Sequence, residues 1–398
     1  MKYLVKEAQA MQNELVAWRR TLHQNAEIGM ELPKTISFVK GKLEEMGYEP
    51  KIVGGSGIVA LAKGKKPGKC FLIRADMDAL PIPEENNVEY KSCNGNMHAC
   101  GHDFHTTMLL GAAHLLKSHE NDIEGTVKLM FQPGEEIIRG AKAMIEDGVL
   151  ENPKVDAAAM IHVAVGYPIN SGVIIVPKKG AFSFASDWFE ISIHGKGGHG
   201  ATPEDTIDPL NVMSHLHIAL QAINSREISS SDTAVVTVGV MQGGDASNVI
   251  PDTAFMKGTI RTYNEKVREF IIERIKCMST HMAETFRATA NPVIIQGCPC
   301  VVIDENVSNC IHESLMDVFG PKIIIDPKFS MTHIAGSEDF SFITEKIPGL
   351  MIMLSAGSID EGHVFSVHHP KVTFNEAVLS QGAAVYAITA MSWLAKNK

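Results

Sequence analysis

Three short, continuously apolar segments, KCFLIRA (69–75), GTVKLMFQ (125–132) and DAAAMIHV (156–163), alternate with helix-period segments through the first 180 residues. Few folds accept such a series. A strand that is apolar at nearly every position must be covered on both faces. Helices lying between such strands supply the cover, so the pattern specifies a largely parallel α/β sheet. Helices are expected over 9–22, 35–46, 106–118 and 141–150, the second stopped by Gly47.

The character changes near Ala181. SDWFEISI (186–193) alternates like a half-exposed strand, followed by a helix over 209–225, strands over 234–241 and 253–262, and a helix over 265–289. That β-α-β-β-α order makes a compact α+β unit with one sheet face free. After Asn291-Pro292 the first pattern resumes with VIIQG, a helix over 305–319, the apolar strand 350–355 and a helix over 376–394. The simplest account is a doubly wound α/β domain (1–182 and 293–398) interrupted by an inserted α+β domain (183–292).

Composition narrows the partners. A net charge of −10 with no basic stripe excludes nucleic acid or an anionic membrane as the main partner. Cys70, Cys93, Cys100, Cys277, Cys298, Cys300 and Cys310 are an odd number without framework spacing, which suits a reducing compartment. Cys298-Pro-Cys300 has no second pair nearby and is read as coincidence. The N-terminus lacks the pattern of a signal peptide, and no window is expected to be apolar for long enough to span a bilayer. A cytoplasmic protein is expected.

The expected strands end in polar chemistry. KCFLIRA runs into Asp76 and Asp78, GTVKLMFQ runs into Glu135 and Glu136, and DAAAMI ends at His162. Ligands of open α/β sheets bind beyond the carboxyl ends of strands, so these groups are expected to share one crevice. The segment MHACGHDFHT (97–106) adds Cys100 and His102, separated only by Gly101. A thiolate and an imidazole that reach one point suit a divalent transition metal. Read as extended, Glu135 and Glu136 point to opposite sides, one toward metal and the other toward a water whose proton it takes. Asp78 could bridge two metals or orient a ligand. His368 and His369, just before Pro370, and the nearby His363 are further contenders.

With these residues in hand, the chain resembles the dinuclear-metal N-acyl-amino-acid amidohydrolases of the aminoacylase/carboxypeptidase family. The nearest branch holds hippurate hydrolases, indole-3-acetyl-amino-acid hydrolases and N-acetyldiaminopimelate deacetylases. The likeness runs in order through LHQNAEIGMEL, LIRADMDALPI, MHACGHDFHT, FQPGEE, IHV, GKGGHGATPEDTIDP, GGDASNVIPDTAFMKGTIRT, GSEDFS and HHP. MHACGHDFHT followed by FQPGEE is its most specific part.

The resemblance implies a metal-binding α/β domain with an inserted lid that dimerises, and two divalent metal ions per subunit. Zinc or manganese come first, and cobalt or nickel are also compatible with the donors. It makes Cys100, His102, Glu136, His162 and His368 ligands, with the Cys100 thiolate as bridge, and Glu135 the general base. Asp78 occupies the catalytic aspartate position next to the metals. Asp76 stands where related branches place a ligand histidine. Cys100 takes over that role here, leaving Asp76, Asp103 and His105 in support and His98 without a task. In the inserted domain His199 matches the histidine that reaches the partner subunit's site and holds the oxyanion. Asn248 and Arg261 match positions that contact the substrate, at its carboxylate. The chain departs from the family at Gly134, in the IHVAVGYP segment and at Phe374-Asn375-Glu376, which bears on the acyl pocket rather than on the ligands.

The expected activity is hydrolysis of the amide between a small acyl group and an amino acid by a hydroxide shared between the metals. The rivals are a dipeptidase or aminopeptidase on the same centre, and a non-catalytic binder of amino-acid conjugates. The binder would be expected to have lost a ligand, the base or His199, and all are present.

Overall fold

The computed structural model describes residues 1–321, 324–325 and 336–398. Two compact units emerge. The first takes in Met1–Gly180, begins again at Val302 and includes Asp339–Lys398; the second includes Ala181–Val301.

The first unit is built on an eight-stranded mixed sheet. Its spatial order is Lys51–Val53, Gly57–Lys63, Glu124–Gln132, Lys66–Asp76, Ala157–Ala164, Gly349–Ser355, Ile174–Ile175 and Ile324–Ile325. The middle strands Glu124–Gln132, Lys66–Asp76, Ala157–Ala164 and Gly349–Ser355 are parallel, and Gly57–Lys63 joins them antiparallel. The last seven residues of Lys66–Asp76 and all of Gly349–Ser355 are buried, so both faces of these strands are covered, as their unbroken apolar runs require. The short flanking strand Lys51–Val53 and the antiparallel Gly57–Lys63, the latter with its own apolar run Ile58–Ala62, were not expected from the sequence.

Helices His102–Ser118 and Leu379–Lys396 pack on Lys66–Asp76 and on each other. The segment Glu376–Lys396 is long and apolar enough, by length and composition, to cross a membrane, contrary to expectation. Its window is 89% buried, which makes it a core helix of this unit. The helix expected to begin at Thr106 begins at His102, with Cys100 in the turn just before it. The helix expected over 9–22 is two, Lys2–Ala10 and Gln12–Gln24, meeting at Met11.

The second unit is a four-stranded antiparallel sheet ordered Ala234–Gly243, Thr253–Thr262, Ala185–His194, Thr289–Cys298. Helices Pro209–Ala222 and Glu265–Thr285 cover one face. Asp208 starts the first by accepting the Leu210 and Asn211 N–H groups ahead of Pro209, and Asn264 caps the second. Phe189, Ile191 and Ile193 alternate inward against these helices, as the period-two pattern requires. One expectation fails here. VIIQG was expected to return to the first domain, but it lies inside Thr289–Cys298, which pairs with Ala185–His194 and completes this sheet. The order is therefore β-α-β-β-α-β, and the unit runs to Val301 rather than ending at residue 292.

Candidate metal centre

Parallel strands bring their carboxyl ends to one edge, and Asp76 pairs in register with Gln132. Asp78, the Glu135-Glu136 turn, His162 and the start of helix His102–Ser118 gather there. Gly101 makes the approach possible. Its φ is +88°, and a Cβ on it would lie 2.4 Å from Val163 Cγ2, so only glycine fits between Cys100 and His102.

Donor atoms of Cys100, His102 and His162 lie within 4.8 Å of one another, as do those of Cys100, Glu136 and His368, and those of His102, Glu135 and Glu136. The first two triads share only Cys100. The Cys100 thiol is 3.6 Å from His162 Nε2, and His368 Nε2 is 3.5 Å from Glu136 Oε1. His102 donates Nδ1–H to the Asp78 carbonyl (2.8 Å), which turns Nε2 toward the acids. That nitrogen lies 3.9 Å from both Glu135 Oε2 and Glu136 Oε1. Among the described residues, His102 Nε2 and Glu136 Oε1 are buried without a hydrogen-bond partner. Such atoms fit a bound cation.

The electrostatics agree. Burial would lower the His102 pKa, but Asp76 and Cys100 outweigh it and hold it well above the usual range. Burial pushes the Glu136 carboxyl up to about 7, with Asp78 and Asp76 adding repulsion. Burial lowers His162 to about 3 and raises the Cys100 thiol, which keeps one neutral and the other protonated unless a metal takes the site. Four acidic side chains crowded around few positive charges make a site for a divalent ion. His368 has φ +67°, a backbone strain of the kind concentrated at functional sites.

The Glu pair departs from expectation. Glu135 and Glu136 sit in a turn, not an extended segment, and both carboxylates point to the same side. Asp78 shapes this turn: its carboxylate accepts the Glu135 N–H (3.0 Å) and the Glu136 N–H (3.1 Å). Those bonds occupy both its oxygens, which favours orienting over bridging. His363 turns to Thr373, and His369 stacks on Phe365 at 4.1 Å, so neither joins the cluster.

Supporting groups are more numerous than the sequence suggested. Asp76 receives Arg74 (2.7 Å) and His105 Nδ1 (2.6 Å), and His105 Nε2 accepts the Val163 N–H (2.9 Å). The Val163 carbonyl in turn takes His162 Nδ1–H (2.8 Å) and aims Nε2 at Cys100. Arg74, fully buried, also reaches Asp339 at 2.8 Å. Arg74 and Asp339 were missed; an arginine inside KCFLIRA was the available signal, since a buried charge requires partners. Asp103 takes Arg19 and His23 (2.8 and 2.7 Å), while His98 is buried with neither ring nitrogen hydrogen-bonded among the described residues.

His199, Asn248 and Arg261 belong to the second unit. Its ribbon pairs His199 with Val249, and the Gly200 N–H donates to the Asn248 carbonyl (2.9 Å), so His199 and Asn248 are neighbours. His199 is exposed, and its Nδ1 accepts the Ala201 N–H (3.0 Å), which leaves Nε2–H as a donor. Arg261 lies on the four-stranded sheet.

Imidazoles, carboxylates and a thiol converging at the carboxyl edge of an α/β sheet define a metal-dependent hydrolase. Residues 72–392 match peptidase family M20/M25/M40. The chain is 38% identical over 399 residues to the IAA-amino acid hydrolase ILR1-like 4 of Arabidopsis thaliana, covering 98% of this chain and 88% of that protein. It is 36% identical over 376 residues to an N-acetyl-L-cysteine deacetylase of Bacillus subtilis, covering 93% and 85%. A Bacillus subtilis crystal structure described as a dinuclear metal-binding peptidase superposes with TM-score 0.83 at 32% identity, covering 98% of this chain and 99% of that one. The chain belongs to peptidase family M20/M25/M40.

Proposed function

We propose that the protein hydrolyses the amide bond of N-acyl amino acids, releasing a carboxylic acid and a free amino acid, at two divalent metal positions that share Cys100. The observation carrying this reading is the pair of donor triads with Cys100 in common, beside the orphaned His102 Nε2 and Glu136 Oε1. Cys100, His102 and His162 would hold one ion, and Cys100, Glu136 and His368 the other. Zinc or manganese fit these donors best. When bound, the metals make water acidic and polarise the scissile carbonyl. Glu135 takes the proton of the attacking water and passes it to the leaving amine. Asp78 holds the Glu135-Glu136 turn and the His102 ring. His199 Nε2–H donates to the developing oxyanion from the partner subunit, while Asn248 and Arg261 hold the substrate, Arg261 by its carboxylate.

Two of the named relatives, the IAA-amino acid hydrolase and the N-acetyl-L-cysteine deacetylase, support this substrate class, while the dinuclear metal-binding neighbour is described as a peptidase. The reading includes a homodimer formed through the second unit and a cytoplasmic location, the latter supported by seven unpaired cysteines. The test is a panel of N-acetyl and N-benzoyl amino acids beside free dipeptides, scored by released amine. Faster turnover of the acyl panel is expected; preference for dipeptides, or binding without turnover, contradicts the reading.

A further inference from the structure

On the helix-free face of the second unit's sheet a cation, Arg261, stands against an indole. In the register Arg261↔Ser186 and Thr259↔Trp188, Arg261 stands diagonally across from Trp188 on the same face. The guanidinium lies 5.5 Å from the Trp188 ring centre. Its hydrogen bond goes from Nη1 to the Ile260 carbonyl at 3.3 Å. Asp187, whose charge also reaches Arg261, is engaged elsewhere: it takes Arg268 through Nε and Nη2 (2.6 and 2.7 Å) and the Gly297 N–H (3.1 Å). Among the described residues no carboxylate pairs with Arg261. The indole is itself seated, since a Cβ on Gly297 would lie 2.9 Å from Trp188 Cζ3.

An unneutralised, half-buried guanidinium with one face against an indole keeps its planar fork of donors for a planar anion. We propose that Trp188 is a positioning residue that holds the Arg261 guanidinium in the orientation that receives the substrate's α-carboxylate. This rests on the reading above, that the substrate carries such a group. Leucine at 188 would keep an apolar contact in a smaller volume but supply no electrostatic hold, so the loss of that hold appears only with ligands that use Arg261.

The test uses the full-length, metal-loaded enzyme, with KM for an N-acyl amino acid and Ki for the matching N-acyl amino amide as competitor. Trp188→Leu should raise KM by roughly tenfold, the scale of one partly desolvated cation–π contact, with kcat and the amide Ki little changed. Trp188→Phe, which keeps an aromatic face, should recover most of the affinity. In an Arg261→Gln background Trp188→Leu should add nothing further. Equal losses for acid and amide, or a full additional loss in the Arg261→Gln background, would show packing alone and overturn the proposal. A wild-type enzyme that turns over no N-acyl amino acid overturns the functional reading, and this proposal falls with it.

Discussion

His23 shows how single residues fix the centre from a distance. Its Nδ1 meets Asp103 at 2.7 Å and its Nε2 meets Glu84 at 3.2 Å, tying helix Gln12–Gln24 to the first turn of helix His102–Ser118. Burial and Arg19 would lower its pKa, but Asp103 and Glu84 outweigh them and raise it. The folded chain therefore keeps this proton after the unfolded chain has lost it. The stabilisation is complete below the unfolded value of about 6.5 and is lost as pH rises from there through the folded pKa. His23→Gln should cost about 1–3 kcal/mol at pH 6, and less at pH 9, in urea unfolding of the two proteins. The same difference at both pH values would contradict this role.

At the scale of elements, the Glu135-Glu136 turn depends on Gly140. A Cβ there would lie 1.5 Å from the Pro133 carbonyl oxygen, a backbone atom that cannot move aside without opening the turn. Gly140→Ala should destabilise the protein by about 1–3 kcal/mol and lower retained metal, measured by thermal melting and elemental analysis. A variant with unchanged metal content would show that the turn does not set the carboxylates.

Sequence pattern reached the central strands and the residues at their ends because burial writes itself as apolar runs, and buried polar groups stand out against them. It did not reach the turn geometry, where Pro133-Gly134 follows the end of a strand and both carboxylates swing to one side. Nor did it reach Arg74 and Asp339, which meet at 2.8 Å across 265 positions of sequence. Local periodicity carries no trace of such a pairing.

For the whole molecule, the misplaced boundary at residue 292 has a plain cause. Pro292 looks like a break, yet it sits within Thr289–Cys298, an edge strand of its sheet, where a missing N–H is tolerated. The opposite edge, Ala234–Gly243, leaves Val235, Val240 and Met241 exposed, and Ile218 on the neighbouring helix is 69% exposed. An exposed apolar edge of this kind favours pairing with a second copy. Light scattering should give twice the chain mass, and Val240→Lys with Ile218→Glu should give monomers of reduced turnover. A fully active monomer would contradict both the dimer and the role of His199 across it.

The central claim is that Glu135 moves the proton while other side chains hold the metals. Metal content and N-acyl amino acid turnover, measured on one sample of Glu135→Gln, test it most directly. The expected result is about two metal ions per chain, as in the wild type, with turnover lowered by at least about a thousandfold. Appreciable residual turnover at full metal content would contradict the account.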